Sequence, residues 1–71
     1  MILYELNKKR ALTKIVFEEN LQMDKSDKWF IDIKSVRIKS GKITSLSTII
    51  RSDMEKRLED YLNKGWEIKN K

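Results

Sequence analysis

An α+β fold, a small antiparallel sheet of about four or five strands packed on one C-terminal helix, is predicted by three observations. Most of the chain before residue 51 is written in short β-branched and aromatic runs that alternate with period two: MILYEL at residues 1–6, LTKIVFE at 12–18 and WFIDIKSVRIK at 29–39. Residues 52–64 instead carry a helical stripe of Met54, Leu58, Tyr61 and Leu62. No proline interrupts either pattern, and glycine stands only at positions 41 and 65, where a turn and a helix stop are needed.

In residues 1–6, Ile2, Tyr4 and Leu6 fall on one side of a strand, and residues 7–10 read as a turn. The next run places Ile15 and Phe17 together with Leu12 off that parity, which makes a hairpin tipped by Lys8, Lys9 and Arg10. Residues 19–28 are polar enough to be a loop. The run at 29–39 alternates twice, with Ile31 and Ile33 inward and then Val36 and Ile38 inward, and these two sets differ in parity. If both sets face one core, an extra residue is required, and a bulge is predicted near Lys34 and Ser35. Ser40-Gly41 fits a two-residue hairpin turn that would pair Ile38 with Ile43 and Lys39 with Lys42. Like charges set opposite each other repel, and an anionic partner would relieve that.

Residues 42–50 are rich in isoleucine and threonine, which favour a pleated strand. The helix that follows has a capping-box pattern, Ser52 with Glu55 three residues later, and Asp53 adds negative charge at the positive end of its dipole. Asp53 with Arg57 and Asp60 with Lys64 have the spacing of ion pairs along the helix. Gly65 suits a left-handed cap, with Trp66 placed to fold back on Tyr61.

A rival assignment extends the apolar stripe upstream through Leu46 and Ile50. Ser45, Ser47, Ile50 and Arg51 then spell the S-x-S-x-x-I-R pattern, and here the chain resembles the second helix of the ribbon-helix-helix repressors. The resemblance implies a ribbon-helix-helix dimer that lays a strand from each subunit in the major groove and holds a phosphate at the start of this helix. That family requires a helix before the glycine, where residues 29–39 alternate as a strand. The close of the chain, Leu62, Asn63, Gly65, Trp66, Glu67 and Ile68, is similar to the end of small bacterial and phage domains in which strands precede one helix and a final strand.

A chain of 71 residues makes a single domain, and at that size only about 60% of the unfolded surface is buried. With no cysteine there is no disulfide, and with no histidine a zinc site would have only carboxylates for ligands. Stability must come from packing, a partner or self-association. The commonest general base and thiol nucleophile are both missing, and there is no phosphate-cradling glycine loop. A non-enzymatic protein without cofactor or metal is therefore expected.

The 16 lysines and arginines outnumber the 11 acids for a net charge of +5, and residues 33–51 hold five cations and no acid. Segregated positive charge is the footprint of phosphate binding. The candidate nucleic-acid-binding residues are Arg37, Lys39 and Lys42 at the second hairpin, Lys8, Lys9 and Arg10 at the first, and Trp29 as a platform for a base. The function expected is that of a small basic accessory protein of phage or mobile-element type, binding DNA or RNA. The alternative is a protein-interaction module or inhibitor that acts through a sheet edge or as a homodimer. The lack of cysteine and the brevity of the uncharged stretch at residues 1–4 point to a cytoplasmic protein with no membrane partner.

Overall fold

The structure, a computed structural model, describes residues 2–20 and 30–69. Five antiparallel strands and one helix follow in order: β1 (Ile2–Asn7), β2 (Thr13–Glu19), β3 (Phe30–Arg37), β4 (Ile43–Ile50), a 3-10 turn (Arg51–Asp53), α1 (Met54–Asn63) and β5 (Glu67–Ile68). The α+β assignment holds. Ser45, Ser47 and Ile50 all lie in β4, so the ribbon-helix-helix alternative is wrong. The β-branched content of that segment outweighs its helical spacing.

The strand order is β4-β3-β2-β1-β5, so β1 to β4 form a simple meander and β5 returns beside β1. One face is the core: Leu6, Ile15, Phe17, Ile31 and Ile33 are buried there together with Leu58 of α1. Met54, Tyr61, Trp66 and Ile68 pack around them. A chain of edge-to-face rings ties sheet to helix, running Tyr4 to Phe17 (6.1 Å), Phe17 to Tyr61 (5.9 Å) and Tyr61 to Trp66 (6.1 Å). Leu62, expected in the stripe, is exposed.

The second apolar set of β3 has a different explanation from the predicted bulge. From Thr13↔Arg37 to Glu19↔Ile31, β3 runs against β2 without a register shift, so Val36 lies on the face away from the helix. That open face has apolar content of its own. Val16 sits there, flanked by Lys14 and Glu18 and paired with Lys34, and is only 6% exposed. Ion pairs cross this face between Lys14 and Glu5 (3.2 Å) and between Lys34 and Glu18 (2.6 Å). Val16 thus lies among long side chains tied in ion pairs, the setting in which lysine stems shield apolar surface. The register shift near Ser35 belongs to β4, which carries an extra residue between Ile43 and Ser45. A second irregularity, in β1 at Leu3, turns Ile2 out of the set it was expected to share with Tyr4 and Leu6.

The helix ends as its sequence predicts. Trp66 N–H donates to Tyr61 C=O (3.1 Å), Gly65 N–H to Leu62 C=O (3.1 Å), and Gly65 takes a φ of +97°. This is the Schellman arrangement, closed by the Trp66 ring on Tyr61. Its start differs. Neither Ser52 nor Asp53 makes a side-chain cap, because the 3-10 turn comes first and Met54 N–H donates to the Arg51 carbonyl. That backbone bond takes over the role of the capping box. Asp53 with Arg57 and Asp60 with Lys64 make no ion pair among the described residues.

Glu5 ties β1 to both neighbours. Burial of its carboxyl alone would raise the pKa, but Lys14, which donates a hydrogen bond, and Lys69 at 3.6 Å outweigh that and hold it below the ordinary carboxylate value. A carboxylate depressed in the folded state contributes stability that is fully present above its unfolded pKa, about 4.3, and is lost as pH falls through the folded value. Glu5→Gln should therefore lose less stability than the parent on acidification from about pH 5 to pH 2. At neutral pH it should cost under about 1 kcal/mol, because both lysines are solvated. Urea midpoints over that range check it, and parallel pH profiles would remove the assignment.

Candidate nucleic-acid interface

In a meander the turn between β1 and β2 and the turn between β3 and β4 fall at the same end of the sheet. The two predicted basic clusters, separate in sequence, therefore come together. Ile38 N–H donates to Leu12 C=O (3.1 Å), which joins one turn to the other. Leu12, Arg37 and Lys39 line a shallow depression between them. α1 ends at this pole as well, since β5 begins with Glu67 opposite Asn7. The Lys8 ammonium stands 5.9 Å from the centre of the Trp66 ring, a cation–π contact. Lys64, beside Gly65 at the helix C-terminus, is a further exposed cation at this end that no sequence pattern singles out as a binding residue. Its one signal is the glycine stop, which fixes where the helix ends but not which strand it meets.

Lys8, Lys9, Arg10, Arg37, Lys39 and Lys42 are all exposed, and none belongs to an ion pair among the described residues. The paired cations are Lys14, Lys34, Arg51 and Lys69, on the body of the molecule. The acids Glu18, Glu19 and Asp32 sit toward the opposite end, where β2 finishes and β3 begins. Positive charge is thus paired along the sheet and gathered at one pole, where Glu67 is an exposed acid lining the same depression as Lys8 and Lys9.

The β3–β4 turn is longer than the predicted two residues. Arg37 N–H donates to Lys42 C=O and Gly41 N–H to Arg37 C=O, both at 2.8 Å, with Gly41 at φ +73°. Arg37, not Lys39, is therefore opposite Lys42, and Lys39 stands at the tip. The like-charge juxtaposition moves by two residues but does not disappear. Ser40 accepts from Lys42 N–H through its hydroxyl (3.2 Å), which stiffens the turn.

Arg10 has a φ of +68°, in the left-handed region where glycine is at ease and other residues are strained. Arg10→Gly should raise stability by about 0.5–1 kcal/mol, a gain of a few degrees in thermal midpoint. A lowered midpoint would show that the arginine side chain supports the turn. Trp29, the predicted stacking platform, lies outside the described residues; its neighbour Phe30 begins β3 and is half-buried. Among the described residues no helix is long and apolar enough to cross a membrane. Comparisons of the chain with protein-family models, with curated proteins and with solved structures found no match.

Proposed function

We propose that this protein is a small non-enzymatic accessory factor that binds nucleic acid with the basic pole of its sheet. The observation that carries the reading is the convergence of Lys8, Lys9 and Arg10 with Arg37, Lys39 and Lys42, all free of ion pairs among the described residues. Unpaired cations gathered in one place repel one another, and phosphates remove that repulsion while releasing their own counterions. Arg10 adds support, because the chain keeps a cation at a backbone position where glycine would be less strained. Pairwise spacing across neighbouring strands is about 4.8 Å, so the two tips present a strip of charge and not a point. Such a strip suits a phosphate backbone, single-stranded or duplex.

Fluorescence anisotropy with short labelled DNA and RNA, single-stranded and duplex, tests the reading across salt concentrations from about 50 to 200 mM. Affinity should fall steeply over that range. No binding to any of the four at the low end would overturn it.

A second reading, a protein-interaction module, draws on a different observation: β4 is an open edge strand whose residues are almost all exposed. An apolar or main-chain interface made there would barely respond to salt, which distinguishes the two.

A further inference from the structure

The sheet has two edges, and they are built differently. One is β5, two residues long and carrying Glu67 with Lys69 just beyond it, the short charged kind of edge that resists pairing. The other is β4, eight residues from Ile43 to Ile50 without a charge or a proline. Ile43, Leu46 and Ile50 of that strand are 49%, 56% and 51% exposed. Its bulge lies at the Ile43 end and leaves residues 45–50 in regular register against β3.

The hydrogen-bond phase of β4 can be worked out. Asn20 N–H donates to Phe30 C=O and Ile38 N–H to Leu12 C=O, so the even-numbered residues of β3 turn their peptide groups toward β2. Ile31, Ile33 and Ser35 then turn theirs toward β4, where they meet Ile49, Ser47 and Ser45. By alternation, the N–H and C=O groups of Leu46, Thr48 and Ile50 point away from the sheet, at the free edge.

Residues 43–49 read I-T-S-L-S-T-I, the same in both directions about Leu46. Two identical strands pairing antiparallel across a two-fold axis at Leu46 would place leucine against leucine, each Ser45 against the partner's Ser47, and each Thr44 against the partner's Thr48. Residues 45–47 are in regular register on both strands and set serine against serine on either side of the central leucines, a favourable match, whereas Thr44 is the bulged residue and meets the partner's Thr48 outside the regular ladder. The axis also falls on a residue whose peptide groups face outward, as a hydrogen-bonded central pair requires. The antiparallel arrangement lays each basic tip along the partner's opposite end, where Asp53 is exposed, so the two basic poles stay apart.

From the palindrome, the phase and the absence of any charge on this edge, we infer that the protein dimerises through β4 in the register centred on Leu46, joining two sheets into one. The occupant of the edge is a second copy of this chain. The inference does not depend on nucleic-acid binding. A two-fold interface uses the same β4 edge on both copies and closes on itself, so this contact stops at the dimer instead of growing into a filament.

Sedimentation velocity of the full chain over a series into the high micromolar range should show a dimer. Leu46→Lys and Leu46→Glu, each alone, should sediment as monomers, because the axis sets position 46 against itself. An equimolar mixture of the two should recover the dimer. A single cysteine supplies a test that does not alter charge, since the chain has none of its own. Leu46→Cys should cross-link to itself under mild oxidation, its Cα atoms being about 5.5 Å apart, within disulfide reach. Thr48→Cys alone should not, because its copy lies four residues along the strand, about 13 Å away. A monomeric wild type at high micromolar concentration, a dimeric Leu46→Lys variant, or equal cross-linking at positions 46 and 48 would each overturn the inference.

Discussion

Phe17→Ala should cost about 3–5 kcal/mol, the largest single loss expected anywhere in the chain. Phe17 is fully buried at the centre of the sheet, with the Tyr4 ring against it from β1 and the Tyr61 ring from α1. Truncation removes both edge-to-face interactions at once and leaves a cavity where the ring stood. A domain of this length has a total stability of about 4–10 kcal/mol, so the variant should sit near its unfolding midpoint without denaturant. Leu12→Ala is the control: that side chain is 72% exposed in the first turn, and its truncation should stay within about 0.5 kcal/mol. Urea unfolding at one fixed protein concentration reads both, the concentration being held because dimerisation would add to apparent stability. A loss under about 1 kcal/mol at Phe17 would mean that the core lies elsewhere.

The contrast between those two positions also shows which features a sequence displays. Ile15 and Phe17 could be assigned to one face, and Leu12 excluded from it, by period-two alternation alone. The helix was legible at its C-terminus, where Gly65, Trp66 and Tyr61 have one compatible geometry. Its N-terminus was not, because Ser52 and Glu55 have the letters of a capping box whether or not a 3-10 turn precedes them. Val36 misled for another reason. An apolar residue out of phase suggests a bulge only if the sheet has one apolar face, and here the second face carries a buried Val16 and a half-buried Val36 of its own.

The basic residues were each visible, but their meeting was not. Lys8 and Lys39 are far apart in the chain, and nothing local says that the two hairpin tips adjoin. That follows only from β2 pairing with β3, a long-range choice made by burial of Phe17 opposite Ile33. The palindrome in β4, by contrast, is plain in the letters themselves. It acquires meaning only once β4 is known to be the edge strand, since in a central strand the same letters would simply pair with their neighbours.

Replacing Lys8, Lys9, Arg10, Arg37, Lys39 and Lys42 together by glutamine should flatten the dependence of log affinity on log salt by about 4–5 units, at ~0.7–0.9 for each phosphate no longer neutralised. At about 50 mM salt the affinity itself should drop by three orders of magnitude or more. Replacing Arg37, Lys39 and Lys42 alone should produce about half of that slope change, because each turn supplies an equal share of the charge. The fold should survive all six changes. None of these side chains is buried, none is ion-paired among the described residues, and exposed charges contribute under about 1 kcal/mol apiece. Relief of mutual repulsion should make the neutralised variants slightly more stable, so weaker binding could not be attributed to unfolding. Lys14→Gln and Lys34→Gln are the matched controls, because these lysines are already paired with Glu5 and Glu18 on the sheet face and should leave the slope unchanged. A slope that falls equally for the controls and the pole variants would mean that overall charge, and not the pole, drives association. A slope unaffected by the six changes would take nucleic-acid binding away from this end of the sheet altogether.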